Sequence, residues 1–256
     1  MASTYLLFLQ SYQILFPIYN QDCITNTMPK YNRTGHVLLI TYKIINLEMK
    51  FNVADIEDQT RFRQMLEIPY SELAGFILDN IRKRSAVTYS FWSVCIVSFA
   101  LAIYTRINIA GQYPYSTIIL HSLLGIIVLP LVSVPIHELM HVIPFYLSGA
   151  RNIRAGMDLH QFFFYVTAHR FVAGPGQFSM VAVIPFLVIS VSVLIMILNI
   201  PGPWKWSLSL FVFFHTTMCA GDFAMLNFYW LNRDKKIYTW DDTDRKIAYF
   251  YEMKAH

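Results

Sequence analysis

Residues 115–150 read YSTIILHSLLGIIVLPLVSVPIHELMHVIPFYLSGA, and Glu138 is their only charged side chain. A bilayer core about 30 Å thick is crossed by about 20 apolar residues in a helix, so this stretch spans it with residues to spare. The depletion continues on both sides. The chain has 256 residues, with 20 Lys and Arg and 16 Asp and Glu. Between 85 and 232 the charged residues are Arg106, Glu138, Arg151, Arg154, Asp158, Arg170, Lys205 and Asp222. The charge-free stretches 85–105, 107–137, 171–204 and 206–221 predict transmembrane helices over 86–107, 115–149, 177–199 and 205–231. A very apolar soluble core is the competing reading, and runs of this length without charge argue against it.

Composition narrows the classes further. Hydrophobic residues are 55% and charged residues 14%, with a mean hydropathy of +0.42. Such a chain is not disordered as a whole. Three widely spaced cysteines, Cys23, Cys95 and Cys219, do not make a disulfide scaffold. The net charge of +4 comes without a long basic run, which predicts an anionic lipid face and no nucleic-acid partner.

The basic residues predict an orientation. Arg82, Lys83 and Arg84 precede the first span, Arg151, Arg154 and Arg170 lie between the second and third, and Arg233, Lys235 and Lys236 follow the fourth. The 108–114 connection has none, and 200–204 has only the adjacent Lys205. Both termini and the 150–176 loop are therefore expected in the cytoplasm of a multi-pass protein, in a bacterial cytoplasmic membrane.

The expected organisation has four parts. Residues 1–52 form an N-terminal extension in which the apolar segment 5–19 is short for a span and lacks a basic leader. Met49 is an alternative start, and Asn32-Arg33-Thr34 is an isolated sequon. Residues 53–85 carry Ile68, Leu73, Phe76, Ile77 and Ile81 at helical spacing, with a start at Ser71-Glu72, and are expected as an interfacial amphipathic helix. Residues 86–231 form the membrane domain. Residues 232–256 are a cytoplasmic tail in which Asp241, Asp242 and Asp244 mark a solvated turn and helix start. No EF-hand spacing surrounds them. The fold class is thus all-α integral membrane, with four transmembrane helices and a short β-like loop between the second and third.

Carboxylates in spans cost about 2.5–3.5 kcal/mol on insertion scales, so each needs a reason to be there. Glu138 lies in His137-Glu138-Leu139-Met140-His141, an H-E-x-x-H motif. Residues i and i+4 of a helix lie about 40° apart and about 6 Å along the axis, so both imidazoles can converge on one Zn²⁺. The intervening Glu reaches the water and serves as base. Asp222 is the candidate third ligand. The motif centre and Asp222 lie 11 and 10 residues before the cytoplasmic ends of their helices, about 15 Å at 1.5 Å per residue. His215, one heptad before Asp222, and Cys219, three before it, are the alternatives, as ligands or supporting groups. His121 or His215 is the donor that would otherwise pair with Asp222. Pro130, Pro135 and Pro144 interrupt the motif's helix and mark either a local cavity or tolerated kinks. In the following loop, Phe162 to Val166 between Gly156 and Gly174-Pro175-Gly176 predicts short strands. Those strands can pair with an extended substrate or anchor at the interface. His160 and His169 fall outside the inferred plane of the site and are read as non-ligands.

On these residues, together with Ile184-Pro185-Phe186 and Gly221-Asp222-Phe223, the stretch 70–250 resembles a family of small membrane proteins described as putative zincin peptidases (DUF3267). The layout is also similar to site-2 type membrane metalloproteases. That resemblance implies zinc on His137, His141 and Asp222, Glu138 as catalytic base, and a membrane-associated polypeptide substrate. Two departures are that Asp222 follows Gly221 where the site-2 pattern has Leu-Asp-Gly, and that no Asn follows Ala173-Gly174-Pro175. The rival class is a non-catalytic metal-binding membrane protein, whether sensor, transporter or inactive adaptor.

Overall fold

The computed structural model describes residues 50–158 and 163–254. The segment 5–19, the Asn32 sequon, the Met49 start, Cys23 and His160 lie outside the described residues. Three helices, or four when a bent pair counts as one span, are long and apolar enough to cross a membrane. After a short helix α1 (Val53–Glu57), strand β1 (Phe62–Pro69) and helix α2 (Leu73–Arg82), the first long helix is α3 (Ala86–Asn108). The second runs over Tyr115–Ser148 as α4 (Tyr115–Leu123), a π turn (Leu124–Val128) and α5 (Leu129–Ser148). Strands β2 (Ile153–Asp158) and β3 (Phe163–Ala168) follow, then α6 (Pro175–Asn199). The bent pair is α7 (Trp204–Met218) and α8 (Ala220–Leu231), and β4 (Ile237–Asp242) and β5 (Ile247–Met253) close the chain.

The helices bury small polar groups and expose large apolar ones. Ser98, Thr105, Ser133, Ser207, Ser209 and Thr216 are buried, whereas Ile96, Val97, Ile107, Leu131, Val132 and Leu198 face outward. Water favours the reverse. Small polar residues between helices and apolar residues outside suit a lipid environment. Among the buried polar groups, Ser133 and Thr216 return their hydroxyls to backbone carbonyls of their own helices.

The π turn lies just before Pro130, which has no N–H to give to the preceding helical turn. It packs tightly on α7. A Cβ at Gly125 would fall 2.5 Å from the Ser207 carbonyl, so only glycine permits this approach. The same seam is hydrogen-bonded: Ser207 Oγ donates to the His121 carbonyl at 2.9 Å, and Trp206 Nε1 to Ser122 Oγ at 2.8 Å. His121 is thus occupied by α7, away from Asp222.

Two small sheets accompany the helices, and the second departs from the expected fold class. β2 and β3 form an antiparallel hairpin, as the aromatic loop predicted. The second sheet has the order β1-β5-β4, all antiparallel, and pairs Phe62 with Met253 and Pro69 with Ile247. It corrects two expectations. The interfacial helix over 53–85 is helical only in Val53–Glu57, the 3-10 turn Tyr70–Glu72 and Leu73–Arg82, with β1 between the first and second. The tail is a β-hairpin in place of a turn and helix start, with Asp242 Oδ1 accepting from the backbone of Asp244 and Arg245 at its tip. Both errors have one cause: β1 is stabilised by partners about 185 residues away, and no local periodicity records such pairing. Phe250 and Ile237, both fully buried, pack with Phe228 and Phe76 and fasten this sheet to α8 and α2.

The fourth span also differs from a continuous helix. It bends by 43° between Met218 and Ala220, which places Asp222 in the first turn of α8. The free N–H groups and positive end of a helix dipole favour an anion there.

Candidate metal centre

The site forms where α5 meets the break between α7 and α8, beneath β3. His137 and His141 lie one turn apart on α5, with ring centroids 5.0 Å apart. His137 Nε2 lies 3.1 Å from Asp222 Oδ2, and His141 Nε2 lies 3.7 Å from Asp222 Oδ1. The two helices therefore bring these three residues together. Zinc ligands at about 2.0–2.1 Å in a tetrahedron stand about 3.3 Å from one another, and the observed separations bracket that value. Two imidazole nitrogens and a carboxylate oxygen are also a donor set that leaves a fourth position open.

A second contact fixes the ring of His141. Its Nδ1 lies 2.9 Å from the Val181 carbonyl on α6. A carbonyl only accepts, so Nδ1 carries the hydrogen and Nε2 turns its lone pair toward Asp222. Ordinarily the Val181 carbonyl would accept from residue 185 one turn on, but residue 185 is proline and has no N–H to donate. Pro185 thus frees the carbonyl that orients a candidate ligand. Ile184-Pro185-Phe186 was legible as a family feature, while its use of the position four residues earlier was not.

His215 and Cys219 lie behind His137. His215 Nε2 is 3.4 Å from His137 Nδ1, and Cys219 Sγ is 4.0 Å from the same nitrogen. They share His137 in a second ligand-like group but face its other nitrogen. Fully buried, His215 stacks near Phe186 and Phe211. Hydrogen bonding of this kind, at the nitrogen away from a metal, sets the tautomer and orientation of a ligand histidine.

Glu138 points to the other side, toward β3. The backbone N–H of Val166 on β3 is turned toward its carboxylate across the cavity. With β2 along one edge of β3, this leaves the opposite edge facing α5. Tyr165 lies across β2, where a Cβ at Gly156 would meet its ring at 2.3 Å, so this glycine seats the ring rather than making a turn. The candidate residues line a cavity of about 220 Å³, shared by His137, Glu138, His141 and Asp222 with Phe164, Val166, Met218 and Phe178. Pro130 does not line it, whereas the turns around His137 to Phe145 do.

With this geometry the comparison with known proteins is specific. Residues 130–236 match the family described as DUF3267, putative zincin peptidase. No curated protein and no solved structure matches the chain. The DUF3267 match covers α5, both strands of the loop hairpin, α6, α7 and α8, and so every candidate ligand. It excludes β1, β4 and β5.

Those unmatched strands nevertheless reach the cavity, which Tyr70, Thr239, Asp241, Ala248 and Phe250 also line. Asp241 accepts from Tyr70 Oη at 3.1 Å through Oδ1 and from Thr167 Oγ1 through Oδ2. The sequence reading assigned Asp241 to a solvated turn, because only the β4-β5 pairing brings it back to the cavity. His169, read as a non-ligand, does lie away from Asp222. Its ring meets Thr243 and Asp244 at the hairpin tip, where it forms a separate group with Asp242 and Asp244.

Proposed function

We propose that this chain is a multi-pass membrane zinc metallopeptidase that hydrolyses peptide bonds of membrane-associated polypeptides in or near the bilayer. One observation carries the reading: two histidines of an H-E-x-x-H helix face one aspartate, with the intervening glutamate in the same cavity. The match to a zincin peptidase family supports it. In this reading His137, His141 and Asp222 hold the metal. Asp222 is favoured over His215 and Cys219 because it alone faces both histidines.

Zinc bound there supplies a water of lowered pKa and polarises a carbonyl oxygen. Glu138 accepts a proton from the attacking water and returns it to the leaving amine. Its carboxylate sits beside Val166 at the edge of β3, where an extended substrate strand would align by backbone pairing. His141, fixed by Val181, and His137, backed by His215, keep their rings in place for the metal.

The proposed topology puts both termini and the 150–176 loop in the cytoplasm. Its support is that segments assigned to one side by their basic residues associate: His169 bridges to Asp241 and Ala173 to Thr239. The decisive experiment is metal content and peptide hydrolysis by purified wild type, His137→Ala, Asp222→Ala and Glu138→Gln. The expected result is about one zinc per chain, lost in the first two variants and kept in the third, with hydrolysis lost in all three. A Glu138→Gln protein that keeps both zinc and hydrolysis refutes the enzyme reading.

A further inference from the structure

The cavity continues past the candidate ligands to a second carboxylate that the peptidase reading leaves unused. Asp241 sits on β4, and both of its oxygens accept from hydroxyls, Tyr70 Oη and Thr167 Oγ1. Among the described residues no lysine or arginine forms an ion pair with it, and none lines the cavity. Burial holds the Asp241 carboxyl above the usual carboxylate range, while the two hydroxyls and His169 offset this in part. Burial and the adjacent Asp241 likewise raise the Tyr70 phenol. Burying an acid without a countercharge is costly. Here that acid lines a cavity already occupied by Glu138 and Asp222.

Its distance from the chemistry follows from one strand. Val166 lies beside Glu138 in the cavity with its backbone N–H turned toward the carboxylate, and the next residue, Thr167, gives its hydroxyl to Asp241. Adjacent Cα atoms are 3.8 Å apart, so the two carboxylates stand within roughly 10 Å of each other. An extended chain advances about 3.3–3.6 Å per residue. A group at Asp241 is then one to three residues from a peptide bond at Glu138.

We propose that Asp241, held by Tyr70 and Thr167, is a specificity subsite that binds the cationic side chain of a lysine or arginine close to the substrate's scissile bond. The placement rests on the peptidase reading, whereas binding of the cation does not require turnover. The subsite is built from the turn after β1 (Tyr70), β3 (Thr167) and β4 (Asp241), so two of its three segments fall outside the family match. Substrate choice would then be set by the sheet, and hydrolysis by the helices.

The test uses the full chain in nanodiscs, carrying Glu138→Gln so that bound peptide persists. The probes are blocked alanine pentapeptides with one lysine, or one norleucine, at each position in turn, and binding is read by calorimetry. At one position the lysine peptide is expected to bind about tenfold tighter than its norleucine counterpart, the scale of one charge-assisted hydrogen bond. Adding Asp241→Asn should level the two, while Tyr70→Phe, which leaves the carboxylate, should keep most of the preference. Zinc content, unchanged in both, reports that the site is intact. Absence of a lysine preference at every position overturns the subsite, a result that needs no variant. So does a preference that survives Asp241→Asn. Hydrolysis of the same peptides by protein with Glu138 intact separates the two readings: cleavage without lysine preference removes only the subsite, and lysine binding without cleavage of any peptide removes only the peptidase.

Discussion

The helices α5 to α8 and the sheet β1-β5-β4 meet at one cavity, yet they come from sequence of different kinds. The helical region holds His137, His141 and Asp222 at separations of 3.1 and 3.7 Å on segments within the family match. The sheet joins residues 62–69 to 247–253, both outside it, and with the turn after β1 supplies Tyr70, Thr239, Asp241 and Phe250 to the same space. The proposed peptidase and subsite together imply a division of labour, in which the helices would carry the reaction and the sheet would roof the cavity and select what enters. They can be compared because the sheet rests on α8 and α2 through one buried cluster, Phe250, Ile237 and Ile68 against Phe228 and Phe76, which holds none of the candidate ligands.

The largest test of that division is Glu138→Gln. Removing a general base costs about 10²–10⁴-fold in rate, so peptide hydrolysis should fall by that factor while zinc content and sheet stability hold. A fall of less than tenfold would move the chemistry out of the helical region. The counterpart in the sheet is Phe250→Ala. A fully buried phenylalanine truncated to alanine costs about 3–5 kcal/mol. Hydrogen exchange should therefore open the β5 amides by two or more orders of magnitude, with zinc still bound to the helices. Loss of zinc in this variant would break the comparison, since it would make the sheet part of the metal site.

How much was legible divides along the same line. A membrane helix announces itself through the absence of charge, a property of each window by itself, so the first three spans were readable to within a few residues. The motif was readable because helical spacing converts residues 137 and 141 into neighbours in space, and Asp222 because an isolated carboxylate at matching depth needs a partner. The 43° break before Asp222 was not readable, nor was the assignment of the Val181 carbonyl to His141. The sheet was hidden for a stronger reason. In β1 the buried positions are Phe62 and Ile68, six apart with a register irregularity between Gln64 and Leu66, so the alternation that marks a strand is lost. Its apolar residues then merged with those of α2 into an apparent helical face. Asp241 looked solvated for the same reason, since its neighbours Tyr70 and Thr167 are 171 and 74 residues away.

An intermediate effect is expected where the two halves of the helical region support one another. Pro185→Ala restores an N–H one turn beyond Val181, and this donor competes with His141 Nδ1 for the same carbonyl. Loss of an orienting partner typically lowers metal affinity about 10–100-fold. The expected result of a zinc competition titration is therefore weaker zinc binding, although an alanine in a helix is ordinarily the more stable residue. A variant that is more stable and binds zinc as tightly as wild type would show that the proline has no part in orienting His141.

The smallest effect belongs to Arg63 and Glu252, which face each other directly across β1 and β5 and form an ion pair. By register alone this pair invites the reading that charge aligns the sheet. Arg63 is 65% exposed, however, and Glu252 18%. The pair therefore sits where water and salt screen it, and exposed pairs contribute about 0–1 kcal/mol. Phe250, two residues before Glu252 on β5, is fully buried and outweighs the pair several-fold. Arg63→Ala should change β5 hydrogen exchange by less than about fivefold at low salt and hardly at all at high salt. A larger change that persists in high salt would transfer the sheet's cohesion from buried aromatics to its edge charges. The sheet's stability would then rest on exposed charges rather than on the aromatic residues it packs against α2 and α8.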